Sequence, residues 1–181
     1  LLVPDTTRVK NATKFVTQCL KQPQSVSVLL KIIQCNNSAA LRQMSAVFIR
    51  KKVNTYWKQM NENLRQQAKT LLLARLRQDP ARSVRRAIAG TVAAVGKFQV
   101  SNGGKCNEIL QHTITACQSQ NAIDREISML LFYFLASEVG DSLSDQFNQL
   151  RELFVRMLQD KESAVRIMAL KASAQVLEHV S

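Results

Sequence analysis

The chain has 181 residues, 46% of them hydrophobic, and its 25 Lys and Arg residues against 13 Asp and Glu residues give a formal net charge of +12. This apolar content is too high for a disordered chain, and the scarcity of glycine (5) and proline (3) disfavours an all-β fold with many turns. No apolar run approaches the roughly 20 residues that a membrane-spanning helix needs, so no membrane contact is expected.

The spacing of apolar residues predicts nine helices separated by short polar breaks. Pro23 and the pair Gly103 and Gly104 stand in two of these breaks, where residues that end helices are expected. The predicted helices span residues 5–20, 25–34, 39–57, 62–77, 83–98, 106–117, 123–139, 143–158 and 164–180. In the eighth, apolar residues recur every three or four positions and form one helical stripe. The stripe consists of Leu143, Phe147, Leu150, Phe154 and Leu158.

A short motif repeats along the chain, in which a polar cap is followed by an apolar residue, an arginine and small residues. Its arginines are Arg42, Arg85, Arg166 and, in a weaker copy, Arg125, at intervals of 40 to 43 residues. A period of about forty residues is typical of a helical solenoid built from antiparallel helix pairs. The predicted units are 1–37, 38–78, 79–120, 121–159 and 160–181. Because the last unit holds one helix, we interpret the chain as part of a longer protein.

Two kinds of residue are predicted to have structural roles. Arg42, Arg85 and Arg166 occur once per unit, which favours hydrogen bonding between units over ligand contact. Trp57 ends an amphipathic helix and is interpreted as a core anchor. Four reduced thiols, most of them buried, are expected from the cysteines, because their spacing shows no disulfide framework. They are Cys19, Cys35, Cys106 and Cys117.

No group of residues has the spacing of a catalytic or metal site. The loop from Ser101 to Cys106 lacks the first glycine and the final Ser or Thr of a phosphate loop, so a flexible turn is expected there. His112 and His179 are the only histidines, and neither belongs to a Cys/His cluster. The sequence therefore predicts a protein that is not an enzyme and needs no cofactor or metal.

Basic residues are concentrated between Arg42 and Arg86. Arg65 and Lys69 lie one helical turn apart and, with Arg50, Lys51 and Lys52, form a candidate basic strip. The strip is equally compatible with partner contact and with a solvated surface. Nucleic-acid binding is the less favoured alternative, because only Tyr56 and Trp57 supply aromatic rings beside the strip.

Several segments resemble the N-terminal domain of importin-β family nuclear transport receptors. The resemblance rests on Asn11 to Phe15, Leu29 to Ile33, and Leu41 to Trp57. In the last segment, Arg42-Gln43, Ser45-Ala46 and Trp57 match the Arg-Gln, the small residues and the terminal Trp of the family pattern. The segments from Pro4 to Arg8 and from Arg50 to Trp57 most resemble the importin-four subfamily.

This resemblance implies a fold and a function. The fold is an all-α, right-handed superhelical solenoid of HEAT repeats. The function is that of the N-terminal, Ran-GTP-binding part of an import receptor that shuttles between cytoplasm and nucleus. The full-length receptor would also bind nucleoporins and protein cargo such as histones or ribosomal proteins. The alternative is a HEAT-repeat scaffold that binds nucleic acid or an acidic protein through the basic strip. The implied Ran contacts are Lys31, Lys51, Lys52, Glu62, Arg65 and Lys69.

Overall fold

The computed structural model describes residues 6–22, 24–139 and 147–178, and all the regular structure in these ranges is helical. The helices are α1 (Thr6–Cys19), α2 (Ser25–Cys35), α3 (Ala39–Gln59), α4 (Glu62–Gln78), α5 (Arg82–Ser101), α6 (Asn107–Cys117), α7 (Ala122–Val139), α8 (Phe147–Leu158) and α9 (Ser163–Leu177). Each predicted helix coincides with one of these to within a few residues. Three predicted bounds lie outside the described residues: the start of the first helix at residue 5, the start of the eighth at Leu143 and the end of the ninth at residue 180.

Local chemistry explains where several helices begin and end. The Ser38 hydroxyl accepts a hydrogen bond from the Leu41 amide at the start of α3, and the Asn61 side chain accepts one from the Leu64 amide at the start of α4. Beyond α5, Gly103 has a φ of 77°, and the Gly104 amide donates to the Gln99 carbonyl at 2.9 Å. Because glycine adopts positive φ at little cost, α5 ends in the turn that the sequence predicts.

The helices stack in two layers. In the first layer, α3, α5, α7 and α9 pack side by side in chain order. In the second layer, α2, α4, α6 and α8 each pack against the first-layer helix that follows them in the chain. This arrangement confirms the prediction of an all-α solenoid. The bounds of the repeat units stay a prediction.

One hydrophobic core runs along the solenoid, from Val26 in α2 to Val176 in α9. Trp57 and Tyr56 are its largest fully buried side chains, and Trp57 is only 1% exposed. The Tyr56 hydroxyl donates to the Leu20 carbonyl and accepts from the Ser25 hydroxyl. These bonds let Tyr56 be buried without losing hydrogen bonds, since a buried hydroxyl without a partner destabilises the fold.

The first helix differs from the others, because none of the residues from Thr6 to Cys19 is buried. Its exposed apolar side chains include Phe15, which is 67% exposed.

The four cysteines divide into two groups: Cys19 and Cys35 are exposed, whereas Cys106 and Cys117 are buried. The expectation that most of the thiols are buried is therefore wrong, because α1 and the end of α2 lie at the surface. No helix within the described ranges is long and apolar enough to cross a bilayer.

Candidate partner-binding surface

Arginines at equivalent positions of α3, α5, α7 and α9 form an arginine ladder, consisting of Arg42, Arg85, Arg125 and Arg166. The Nη1 atom of each donates to two backbone carbonyls in the loop before its own helix, five and six residues earlier in the chain. Arg85, for example, binds the carbonyls of Asp79 at 2.7 Å and Pro80 at 3.1 Å. The others make the same pair of bonds at 2.7 to 3.1 Å. Each arginine therefore holds the loop that precedes its helix.

Two members of the ladder also bind an aspartate of the next unit. The Nε and Nη2 atoms of Arg42 donate to the Asp79 carboxylate at 2.7 and 3.0 Å, and Arg125 binds Asp160 in the same way at 2.6 and 3.0 Å. Both pairs are almost fully buried. A paired guanidinium and carboxylate with two parallel hydrogen bonds have a fixed orientation, so each pair sets the position of one unit against the next.

The protonation of these aspartates depends on their arginines. Burial raises the pKa of Asp79, but hydrogen bonds from Arg42, the Ala81 amide and Arg75 outweigh burial and leave the pKa below its ordinary value. Hydrogen bonds from Arg125 hold the pKa of Asp160 below its ordinary value as well. Both carboxylates are therefore charged at neutral pH.

The buried ion pair to the next unit is made by Arg42 and Arg125 but not by Arg85, which lies between them in the ladder. Asn36, Asp79, Ser119 and Asp160 occupy equivalent loop positions, and the side-chain oxygen of each accepts a hydrogen bond from the amide two residues later. Ser119 offers no carboxylate to Arg85 of the preceding unit. The Nε atom of Arg85 is buried and has no hydrogen-bond partner within the described part of the chain. The junction between the third and fourth units thus lacks the buried ion pair of its neighbours.

Three predicted Ran contacts lie on the second layer with at least part of the side chain exposed. Lys31 is exposed on α2, and Glu62 is exposed at the start of α4. Arg65 is partly buried, because its Nε donates to the Trp57 carbonyl at 2.7 Å, while its Nη1 lies 3.3 Å from Glu62. Arg65 thus binds the C-terminal end of α3 and keeps part of its guanidinium exposed.

Lys69 has a different environment from the other predicted contacts. Its side chain is 7% exposed, and its Nζ donates to the Glu108 carboxylate of α6 at 2.7 Å. Gln66 donates to the same carboxylate, also at 2.7 Å. The hydrogen bond from Lys69 holds the pKa of Glu108 below its ordinary value. Lys69 therefore joins α4 to α6 and leaves little of its own charge at the surface.

The candidate basic strip is divided between the two layers. Arg50, Lys51 and Lys52 are exposed on α3 in the first layer, whereas Arg65 and Lys69 belong to α4 in the second. Two neighbouring arginines form ion pairs with carboxylates of another unit. The pairs are Arg77 with Asp124 at 2.6 Å and Arg82 with Glu126 at 2.5 Å. These partners are not evident from the sequence, because they lie more than forty residues from the arginines.

A cleft of about 630 Å³ separates the C-terminal half of α4 from α6 and the start of α7. Arg77, Glu108, His112 and Asp124 line it. Burial and the nearby charge of Arg77 lower the pKa of His112, so this side chain is neutral at pH 7. Among the described residues there is no cluster of three potential metal ligands. Both carboxylates in the cleft are already paired, Glu108 with Lys69 and Asp124 with Arg77.

Comparison with known proteins gives matches along nearly the whole chain. Residues 12–78 match the family model described as "Importin-beta N-terminal domain", and residues 80–181 match the one described as "IPO5-like, TPR repeats". The probable importin subunit beta-4 of Schizosaccharomyces pombe is 30% identical over 76% of this chain. Importin-4 of Mus musculus is 25% identical over 88% of the chain, and importin-4 of Homo sapiens is 24% identical over 84%. The matched regions span only 13%, 15% and 14% of these three relatives.

Proposed function

Since this chain belongs to the importin-β family and is similar to importin-4, we propose that it is the N-terminal, Ran-GTP-binding part of a nuclear import receptor. The observation that carries this proposal is the match of residues 12–78 to the importin-β N-terminal domain, which corresponds to most of α1 and all of α2 to α4. Such a role is one of binding, and it requires no catalytic group and no cofactor.

The two-layer architecture supports this proposal. A row of second-layer helices presents side chains from successive units to one large partner, so a binding surface arises without a single deep pocket. Lys31 and Glu62 are the most accessible of the proposed Ran contacts on this row, and Arg65 is partly buried beside Glu62. Lys51 and Lys52, on the first layer, are proposed as flanking contacts. Lys69 acts through its pair with Glu108, by fixing α4 against α6.

The rest of the receptor function is proposed for the longer protein. Protein cargo, such as histones or ribosomal proteins, and nucleoporins would bind through repeats beyond this chain, and the receptor would shuttle between cytoplasm and nucleus. In this proposal the solenoid has one curvature when cargo is bound and another when Ran-GTP is bound. Binding of Ran-GTP then favours the second curvature and weakens the binding of cargo, which is released.

The test is a titration of the chain with Ran loaded with a non-hydrolysable GTP analogue or with GDP. Tighter binding of the GTP form is expected. The charge reversal Lys31→Glu should weaken binding by about twofold to fivefold, as loss of an exposed charge pair does. The double change Lys51→Glu and Lys52→Glu measures the first-layer contribution, and Lys171→Glu on α9 is the matched control. Equal binding of both nucleotide forms would refute the proposal.

The same samples test the alternative scaffold function. The net charge of +12 attracts polyanions, and binding of a nucleic acid loses affinity steeply as salt is added. Salt-sensitive binding of duplex DNA or RNA that Ran-GTP does not displace would favour the nucleic-acid scaffold over the import receptor.

A further inference from the structure

An apolar groove of about 500 Å³ lies between α1, α2 and α3. Phe15 of α1, Val28 of α2, and Leu41, Met44 and Phe48 of α3 are among the side chains that line it. Phe15, Val28, Leu41 and Met44 are each more than half exposed. Contiguous apolar surface of this kind marks an interaction site more often than scattered apolar residues do.

The surroundings of the groove are basic. Lys52 follows Leu41 and Phe48 on one face of α3, at spacings of eleven and four residues, and Lys31 lies one turn beyond Val28 on α2. Both lysines are exposed. Between Thr6 and Asn61 the sequence holds ten Lys and Arg residues and no Asp or Glu. An approaching ligand therefore meets positive charge around an apolar centre.

We propose that this groove binds an acidic amphipathic segment of another protein, whose apolar side chains enter the groove while its carboxylates face Lys31, Lys51 and Lys52. Burial of the apolar side chains supplies the affinity, and the opposite charges select the partner. A second copy of this chain would bring the same positive charges to the contact and be repelled. A nucleic acid has the right charge but no aliphatic side chains to fill the groove.

The cysteines of the unmodified chain provide the measurement. Cys19 is exposed and lines the groove, whereas Cys35 is exposed at the end of α2 and is not part of the lining. The probe is a short synthetic peptide in which Leu and Phe alternate with Glu. At a peptide concentration ten times its dissociation constant, alkylation of Cys19 should slow by about tenfold, because the rate follows the unoccupied fraction. Alkylation of Cys35, measured by mass spectrometry in the same sample, should not change.

Two control peptides distinguish the contribution of charge to binding from that of apolar contact. In one, Lys replaces each Glu, and in the other, Ser replaces each Leu and Phe. Neither should protect Cys19. If the Lys peptide protects Cys19 as well as the Glu peptide does, the inference that the partner is acidic is wrong. If the Glu peptide does not protect Cys19, the inference that the groove is the binding site is wrong.

Variants of the chain complete the test. Met44→Asp and Lys52→Glu should each reduce protection of Cys19, while Leu170→Asp and Lys171→Glu, at exposed positions of α9, should leave it unchanged. Circular dichroism verifies that each variant is folded. Slow alkylation of Cys19 before any peptide is added would also overturn the proposal. A rate that falls with protein concentration would then identify a second copy as the occupant, and a constant rate would identify another part of the same chain.

Discussion

Replacing Asp79 by asparagine should destabilise the chain more than any single change at an exposed carboxylate. The Asp79 side chain is fully buried and accepts hydrogen bonds from Arg42, Arg75 and the Ala81 amide. Asparagine keeps the volume and the bond to Ala81 but leaves the buried Arg42 guanidinium without its opposite charge. Breaking a buried ion pair in this way costs about 3 to 5 kcal/mol, and we expect about 3 kcal/mol because Asn retains some hydrogen bonds.

Urea unfolding of the 181-residue chain measures this loss, with the fluorescence of the buried Trp57 and far-ultraviolet circular dichroism as two probes. The exposed carboxylate Glu152, which forms no ion pair among the described residues, gives the matched control Glu152→Gln. A double-mutant cycle with Arg42→Met isolates the pair, since removing both charges should cost less than the sum of the single changes. A coupling free energy near zero would refute the role assigned to this pair.

The same pair makes stability depend on pH in a defined direction. The pKa of Asp79 is lower in the folded chain than its ordinary value, which the unfolded chain retains. The stabilisation is therefore complete above the unfolded pKa of about 4 and is lost as pH falls through the lower folded pKa. The difference in unfolding free energy between the native chain and Asp79→Asn should be constant near neutrality and shrink in acid. A difference that stays the same in acid would contradict the ion pair as its source.

Three further changes test other contacts. Ser119→Asn should raise the free energy of unfolding by about 1 kcal/mol, because its amide oxygen can accept from the unpaired Nε of Arg85; urea unfolding measures the gain. Lys69→Met should lower stability by about 1 kcal/mol and let the pKa of Glu108 rise toward its ordinary value, which an NMR titration follows. Burial raises the pKa of Cys117 to about 12, so this thiol should be alkylated far more slowly than the exposed cysteines, as mass spectrometry detects.

The helices were predictable because each depends on local spacing. The apolar stripes, the polar breaks and the glycines before α6 determine helix positions without reference to distant residues, and the repeat of arginines indicated stacked units. The burial of Lys69 was not predictable in this way. Its partner Glu108 lies 39 residues away on α6, and a lysine on a polar helix face has the same local pattern whether it faces solvent or a neighbouring helix.

The layer on which each candidate contact lies was also not predictable from the local sequence. Basic residues of α3 and α4 cannot be grouped from sequence proximity alone, because the two helices belong to different layers although they are adjacent in the chain. Lys51 and Lys52 lie on α3 in the first layer, while Glu62 and Arg65 lie on α4 in the second. Charge counted along a sequence therefore overstates the charge that one partner meets on a solenoid surface.

The junctions between units differ in a way that bears on how such a solenoid bends. Buried pairs join Arg42 to Asp79 and Arg125 to Asp160, whereas the polar contacts between α5 and α7 are more exposed. These are the pairs of Arg82 with Glu126 and Lys97 with Glu138, and the stacking of Arg86 on Phe134. Exposed ion pairs contribute less than buried, bidentate ones and weaken with salt. We therefore expect relative motion of neighbouring units to be greatest where Arg85 lacks a carboxylate, and hydrogen exchange along α5 and α7 should increase with ionic strength while exchange along α3 does not.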